Sequence, residues 1–104
     1  MFVVSNAFSL NMVEGSCNIS VKNLNIEEVN DILSRFNFKS IVGHNDTANV
    51  FSSVVGVDIP CNRETFTLRN EVLIVGQYKG PRLKEGETTL PKDASIQWMQ
   101  VELF

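Results

Sequence analysis

The chain has 104 residues, 43% hydrophobic and 20% charged, with a net charge of −3. That is one domain's worth of ordinary globular sequence, domains running to roughly 100–150 residues, and it excludes a disordered tail. The acidic balance excludes a sheath for long nucleic acid, which needs many Lys and Arg, but not a small phosphorylated ligand held by one or two arginines and a helix N-terminus.

Phe2 to Ser5 is apolar and β-branched and suits a buried strand. Asn6 to Ser16 has no clear period, and Gly15 marks a turn. Residues 17–22 alternate, with Cys17, Ile19 and Val21 on one face, which predicts a second strand. Asn25 and Glu28 form an Asn-x-x-Glu capping box. Ile26, Val29, Ile32, Leu33 and Phe36 then fall on one face of a helix. Lys39 to Val42 is short and extended and ends at Gly43-His44.

A second helix follows, capped by Asn45 or Asp46. Ala48, Phe51, Val54 and Val55 form its buried stripe, and Gly56 stands where a C-terminal glycine belongs. Pro60 ends any continuation. Glu64 to Leu68 and Glu71 to Tyr78 read as strands joined by a turn at Arg69-Asn70. Lys79 to Pro91, rich in glycine, proline and charge, reads as a mobile loop. Ile96 to Phe104 is a final strand with Met99, Val101 and Leu103 on one face. The order β-β-α-β-α-β-β-β predicts a single α/β or α+β domain over residues 1–104. Its mixed sheet of about five to six strands is flanked by two or more helices.

No apolar run approaches a membrane span and no basic region opens a signal peptide, so the expectation is a soluble, cytoplasmic chain with no membrane partner. Cys17 and Cys61 form no CxxC and read as reduced thiols. With His44 the only histidine and no carboxylate cluster, neither a metal site nor a cofactor is expected. Neither phosphate-binding glycine loop motif is present.

Four segments can carry chemistry. His44 lies between a strand end and a helix N-terminus, where unpaired N–H groups favour an anion and an imidazole can donate a proton to a departing oxygen. Its plain alternative is a histidine bonded within its own loop. Lys79 to Gly86 is the densest basic cluster: Arg82 can fork onto a phosphate and Glu85 can orient or deprotonate a hydroxyl, or the segment is a solvated loop. Arg63 follows a proline-stiffened turn and either holds an anion or caps a strand. Ser5 to Ser9 either contacts a ligand or satisfies its turn. Trp98, Tyr78 and the phenylalanines read as core rather than base-stacking platforms.

Gly43-His44-x-x-Thr47-Ala48, Gly56-Val57-x-x-Pro60-x-Asn62-Arg63 and Arg82-Leu83-x-Glu85-Gly86, in this order and spacing, resemble the viral anti-CRISPR ring nucleases. Asn6-Ala7-Phe8-Ser9 looks like that family's N-terminal ligand-contacting turn. The resemblance covers nearly the whole chain. It implies a homodimer that binds cyclic tetraadenylate and cuts it, without metal, to linear di-adenylate, switching off type III CRISPR signalling. Carried over by motif position, His44 would be the general acid and Glu85 would position or activate the attacking group. Arg63 and Arg82 would hold phosphate, and Asn6, Ser9 and Thr47 would line the site. Two departures are visible: lysine precedes Glu85 where proline is common in the family, and Thr88 to Ala94 is short for the helix some relatives place there. Two other readings stand beside the enzyme, a protein that sequesters a cyclic oligoadenylate without turnover and a small viral DNA- or protein-interaction protein; the acidic balance counts against duplex DNA.

Overall fold

A computed structural model describes residues 1–104. Five strands form one mixed sheet: β1 (Phe2–Ser5), β2 (Ile19–Leu24), β3 (Phe38–Ser40), β4 (Val72–Lys79) and β5 (Ser95–Leu103). Their spatial order is β2-β5-β4-β1-β3. β1 runs parallel to both β3 and β4, while β5 is antiparallel to β4 and β2. The fold is α+β.

Two helices, α1 (Ile26–Arg35) and α2 (Asn45–Val55), cover one face of the sheet. The capping box starts α1 as expected: Asn25 Oδ1 accepts the Glu28 N–H at 2.8 Å, and Glu28 Oε1 accepts the Asn25 N–H at 3.0 Å. Its inward positions, Val29 and Leu33, are buried. Phe36 is not on that stripe. The helix ends at Arg35, Phe36 turns extended, and its ring leans on Phe2 at 5.3 Å with half its surface in water. Gly56 closes α2 in the left-handed region, at φ 81°. Asn30 of α1 donates to the Val55 carbonyl at 2.8 Å, joining the two helices where α2 ends. Val54 is only half-buried, and Val50 joins Ala48, Phe51 and Val55 in the buried set.

The core beneath α2 is tight. Phe51 and Trp98 meet at 4.9 Å between ring centroids, tilted by 57°. Both close on Gly76 of β4, where a Cβ would stand 2.7 Å from the Phe51 Cζ and the Trp98 Cζ3. Only a residue without a side chain lets the two rings approach the strand, so this glycine is a packing requirement.

The other sheet face carries Val3, Leu73, Val75 and Val101, and it is covered by chain without regular structure. Phe8 and Met12, around a short 3₁₀ turn at Leu10–Met12, pack there with Phe66 and Leu68. The expected strand from Glu64 to Leu68 does not form. Its Leu68 N–H bonds the Met12 carbonyl at 2.7 Å, crossing to the 3₁₀ turn instead of joining a ladder. Phe66 and Leu68 are apolar because they pack on this face, not because the stretch pairs, so the sheet has five strands. β2 begins at Ile19, two residues later than expected, and leaves Cys17 exposed outside it. β3 is the triplet Phe38–Ser40, with Val42 adding a single parallel bridge to Cys61. No helix of the chain is long and apolar enough to cross a membrane.

Candidate functional site

The carboxyl ends of β1, β3 and β4 lie at one edge of the sheet, because these strands are parallel. Crevices outside such strand ends are the usual ligand sites of sheets with crossover helices. β3 leads through Val42 and Gly43 to α2, and β4 leads at Lys79 into the segment of residues 80–94. Between them opens a cavity of about 620 Å³ lined by His44, Asp46, Thr47, Tyr78, Gly80, Arg82, Leu83 and Glu85.

His44 itself is the N-cap of α2, in extended conformation, and its side chain makes no capping bond. The expected caps Asn45 and Asp46 are instead the first residues of the helix. Asp46 is engaged elsewhere: its Oδ1 accepts the Gly86 N–H at 3.0 Å, across forty residues of sequence. The imidazole of His44 is exposed and free to meet a ligand. The first-turn N–H groups of α2 add positive potential beside it.

The loop that carries Arg82 and Glu85 is built by hydrogen bonds. Tyr78 Oη donates to the Pro81 carbonyl at 2.6 Å where the loop leaves β4. Burial, then the charges of Glu87 and Asp93, push the Tyr78 phenol above its ordinary 10.0, so it remains a donor through neutral pH. At the tip, Glu87 N–H bonds the Lys84 carbonyl at 3.0 Å, and Lys84 N–H bonds Glu87 Oε2 at 3.0 Å. Gly80 lies so close to Ala94 that a Cβ would approach the Ala94 Cβ to 2.5 Å, which packs the loop's two ends together.

Four of the seven residues singled out in the sequence therefore share one cavity: His44, Thr47, Arg82 and Glu85. Arg63 is not in its lining; the side-chain stem of Arg63 packs against Gly43, with Cγ 3.4 Å from where a Cβ would be. Asn6 lines a second cavity, of about 230 Å³, on the opposite sheet face with Phe8, Val21, Val75, Gln77 and Met99. Ser9 is exposed at the start of the 3₁₀ turn. Tyr78, read from sequence as core, is half-buried and lines the cavity, whereas Trp98 is buried as expected. Asp46 and Tyr78 are the lining residues that sequence reading assigned to other tasks. Their signal was position: one lies in the first turn of the helix after His44, the other at the end of the strand before the loop. No group of three or more His, Cys, Asp or Glu side chains is placed to hold a metal ion.

Fold and site together define a small α+β protein with a polar cleft, one arginine and one imidazole at its rim, outside the ends of parallel strands. The chain belongs to the STIV B116-like family, whose model matches residues 2–102. It is similar in structure to B116 of Sulfolobus turreted icosahedral virus, with a TM-score of 0.78 and 22% identity over 97% of each chain. It is also 35% identical over 69 residues to "Uncharacterized protein 26" of Sulfolobus islandicus filamentous virus (isolate Iceland/Hveragerdi). That match covers 66% of this chain and 58% of the relative's length.

Proposed function

We propose that this protein is a metal-independent ring nuclease that binds cyclic tetraadenylate as a homodimer in the cytoplasm of the infected cell and silences type III CRISPR signalling. The observation that carries the reading is the meeting of His44, Thr47, Arg82 and Glu85 in one cavity at the N-terminus of α2. Membership of a family with viral members and the four motifs in register support it.

The reaction is attack of a ribose 2′-hydroxyl on its neighbouring phosphorus. The new P–O2′ bond forms as the P–O5′ bond breaks, leaving a 2′,3′-cyclic phosphate and a 5′-hydroxyl. Arg82 neutralises the phosphate and the first-turn N–H groups of α2 assist it. Glu85 orients the 2′-hydroxyl or takes its proton. His44 in its protonated form delivers a proton to the departing 5′-oxygen. Holding the ring with nucleophile and leaving group in line supplies a large part of the rate, and the acid adds about 10²–10⁴-fold. A two-fold dimer presents one His44 to each of two opposite phosphates, so two cuts give two di-adenylates. Arg63, beside Gly43, contributes positive charge from outside the lining. Asn6 and Ser9 belong to the opposite face and approach the ligand from a second copy or after the dimer forms.

The test is single-turnover cleavage of labelled cyclic tetraadenylate in EDTA. Wild type yields di-adenylate; His44→Ala is slower by about 10²–10⁴-fold while retaining the ring. Equal rates for the two proteins would remove His44 from the chemistry. An intact ring with both, bound stoichiometrically, would make the protein a sequestering module.

A further inference from the structure

We propose that Asp46 is a positioning residue for Glu85, a latch that holds the 80–86 loop in its working shape over the N-terminus of α2. The inference rests on the ring-nuclease reading for its kinetic consequence but not for its structural content.

The loop spans the cavity from Gly80 to Glu85 and needs fixing at both ends to place two side chains reproducibly. Its entry is held by Tyr78 Oη on the Pro81 carbonyl at 2.6 Å. Its exit is held by the Gly86 N–H on Asp46 Oδ1 at 3.0 Å, the one hydrogen bond between a side chain of α2 and the loop. Gly86 immediately follows Glu85 and adopts φ 81°, with no heavy atom within 4 Å of where its Cβ would be. No group packs where its side chain would lie, so a polar contact does there what packing does elsewhere. The tip bonds between Lys84 and Glu87 shape the turn but join it only to itself.

A carboxylate is well suited to the task. Charge-assisted bonds to backbone N–H groups are shorter and stronger than neutral ones. A negative charge in the first helical turn is also stabilised by the helix dipole, so Asp46 needs no separate counter-ion there. Its charge faces a cleft proposed to take phosphate, which is unfavourable to binding. Retaining a carboxylate at such a place fits a geometric duty and not an attractive one.

The experiment compares wild type with Asp46→Ala and Asp46→Asn. Both variants remove the same charge, but only asparagine keeps an oxygen that can accept from Gly86. Amide exchange of Gly86, followed by NMR on the free protein, is expected to be about tenfold faster in the alanine variant, the loss of roughly one hydrogen bond. The asparagine variant, which keeps an acceptor but loses the charge assistance, falls between the two. Single-turnover kinetics are expected to show a lower maximal rate for Asp46→Ala with little change in the ring concentration for half-saturation, and partial recovery of that rate in Asp46→Asn. Unchanged Gly86 exchange in Asp46→Ala overturns the latch. Equal loosening in both variants overturns it too, since charge at the helix end and not the acceptor would then be responsible. If wild type leaves the ring intact, the ring-nuclease reading fails, and the exchange comparison still decides the latch.

Discussion

The core under α2 and the loop over its N-terminus are built by opposite means. At Gly76, Phe51 and Trp98 interdigitate so closely that one added carbon has no room. At Gly86 an added carbon would meet nothing within 4 Å, and a single hydrogen bond from its N–H to Asp46 does the fastening. Packing gives many small contacts that act together and resist local opening. A polar tether gives one contact that can be broken without disturbing the rest. A molecule that must admit and release a ligand needs the second kind at its site and the first kind beneath it.

The comparison can be attacked first at the core. Phe51→Ala should cost about 3–5 kcal/mol, the range for a buried aromatic truncated to alanine. Equilibrium denaturation in urea reads it directly, and a loss below roughly 1 kcal/mol would mean that the aromatic pair is not the centre of the fold. Gly76→Ala should cost about 1–3 kcal/mol by overpacking. For a domain this size each kcal/mol corresponds to roughly 4–8 °C in Tm. A Tm equal to wild type would show that the rings can move aside and that the clasp is loose.

The smallest effect belongs to an exposed tether at the β3 edge of the sheet. Lys39 Nζ donates to Glu64 Oε2 at 2.9 Å, and Asn62 Nδ2 donates to Glu64 Oε1 at 2.8 Å. The Lys39 bond and then the Asn62 bond hold the Glu64 carboxyl below its ordinary 4.5. A carboxyl whose pKa falls on folding stabilises the protein above its unfolded pKa, and that contribution disappears as pH drops through the lower folded value. Glu64→Gln should therefore lower Tm slightly at neutral pH, with the gap closing below about pH 4.5. A gap that persists unchanged into acid would assign the effect to something other than ionisation. Exposed pairs contribute little, so thermal melts at several pH values, compared between the two proteins, are the proper measure.

Much of this molecule is legible in its sequence, and the reasons are local. Asn25 and Glu28 declare the start of α1 because both bonds of a capping box lie within four residues. Gly56 declares the end of α2 because the left-handed region it occupies excludes most side chains. β1 and β4 are apolar without alternation, as strands buried on both faces must be. The cavity was legible in part: His44 beside a helix N-terminus and Arg82 and Glu85 in a charged loop are sequence features. Their meeting is not, since nothing local in residues 43–48 specifies which loop will come to face them.

Other decisions were made only in three dimensions. Glu64 to Leu68 has the alternation of a strand, but pairing on that side goes no further than the single Val42–Cys61 bridge, and the Leu68 N–H bonds the 3₁₀ turn. Tyr78 has the composition of a core residue, yet strand direction carries it past the end of the helix layer to the cavity, where its hydroxyl finds Pro81. Asp46 has the composition of a cap, yet the helix starts before it and its carboxylate is free to bind the loop. Asn6 follows β1 at the same end of the sheet as His44, but β1 ends at Ser5, and the turn held by Ser5 Oγ and Ala7 carries it to the opposite face. Features that depend on neighbours in the chain were set locally: caps, helix faces, the buried strands and the chemical types at the site. The tertiary structure decided strand membership, which face a side chain meets and which distant backbone group it bonds, because those depend on partners brought together only by the packing of the whole chain.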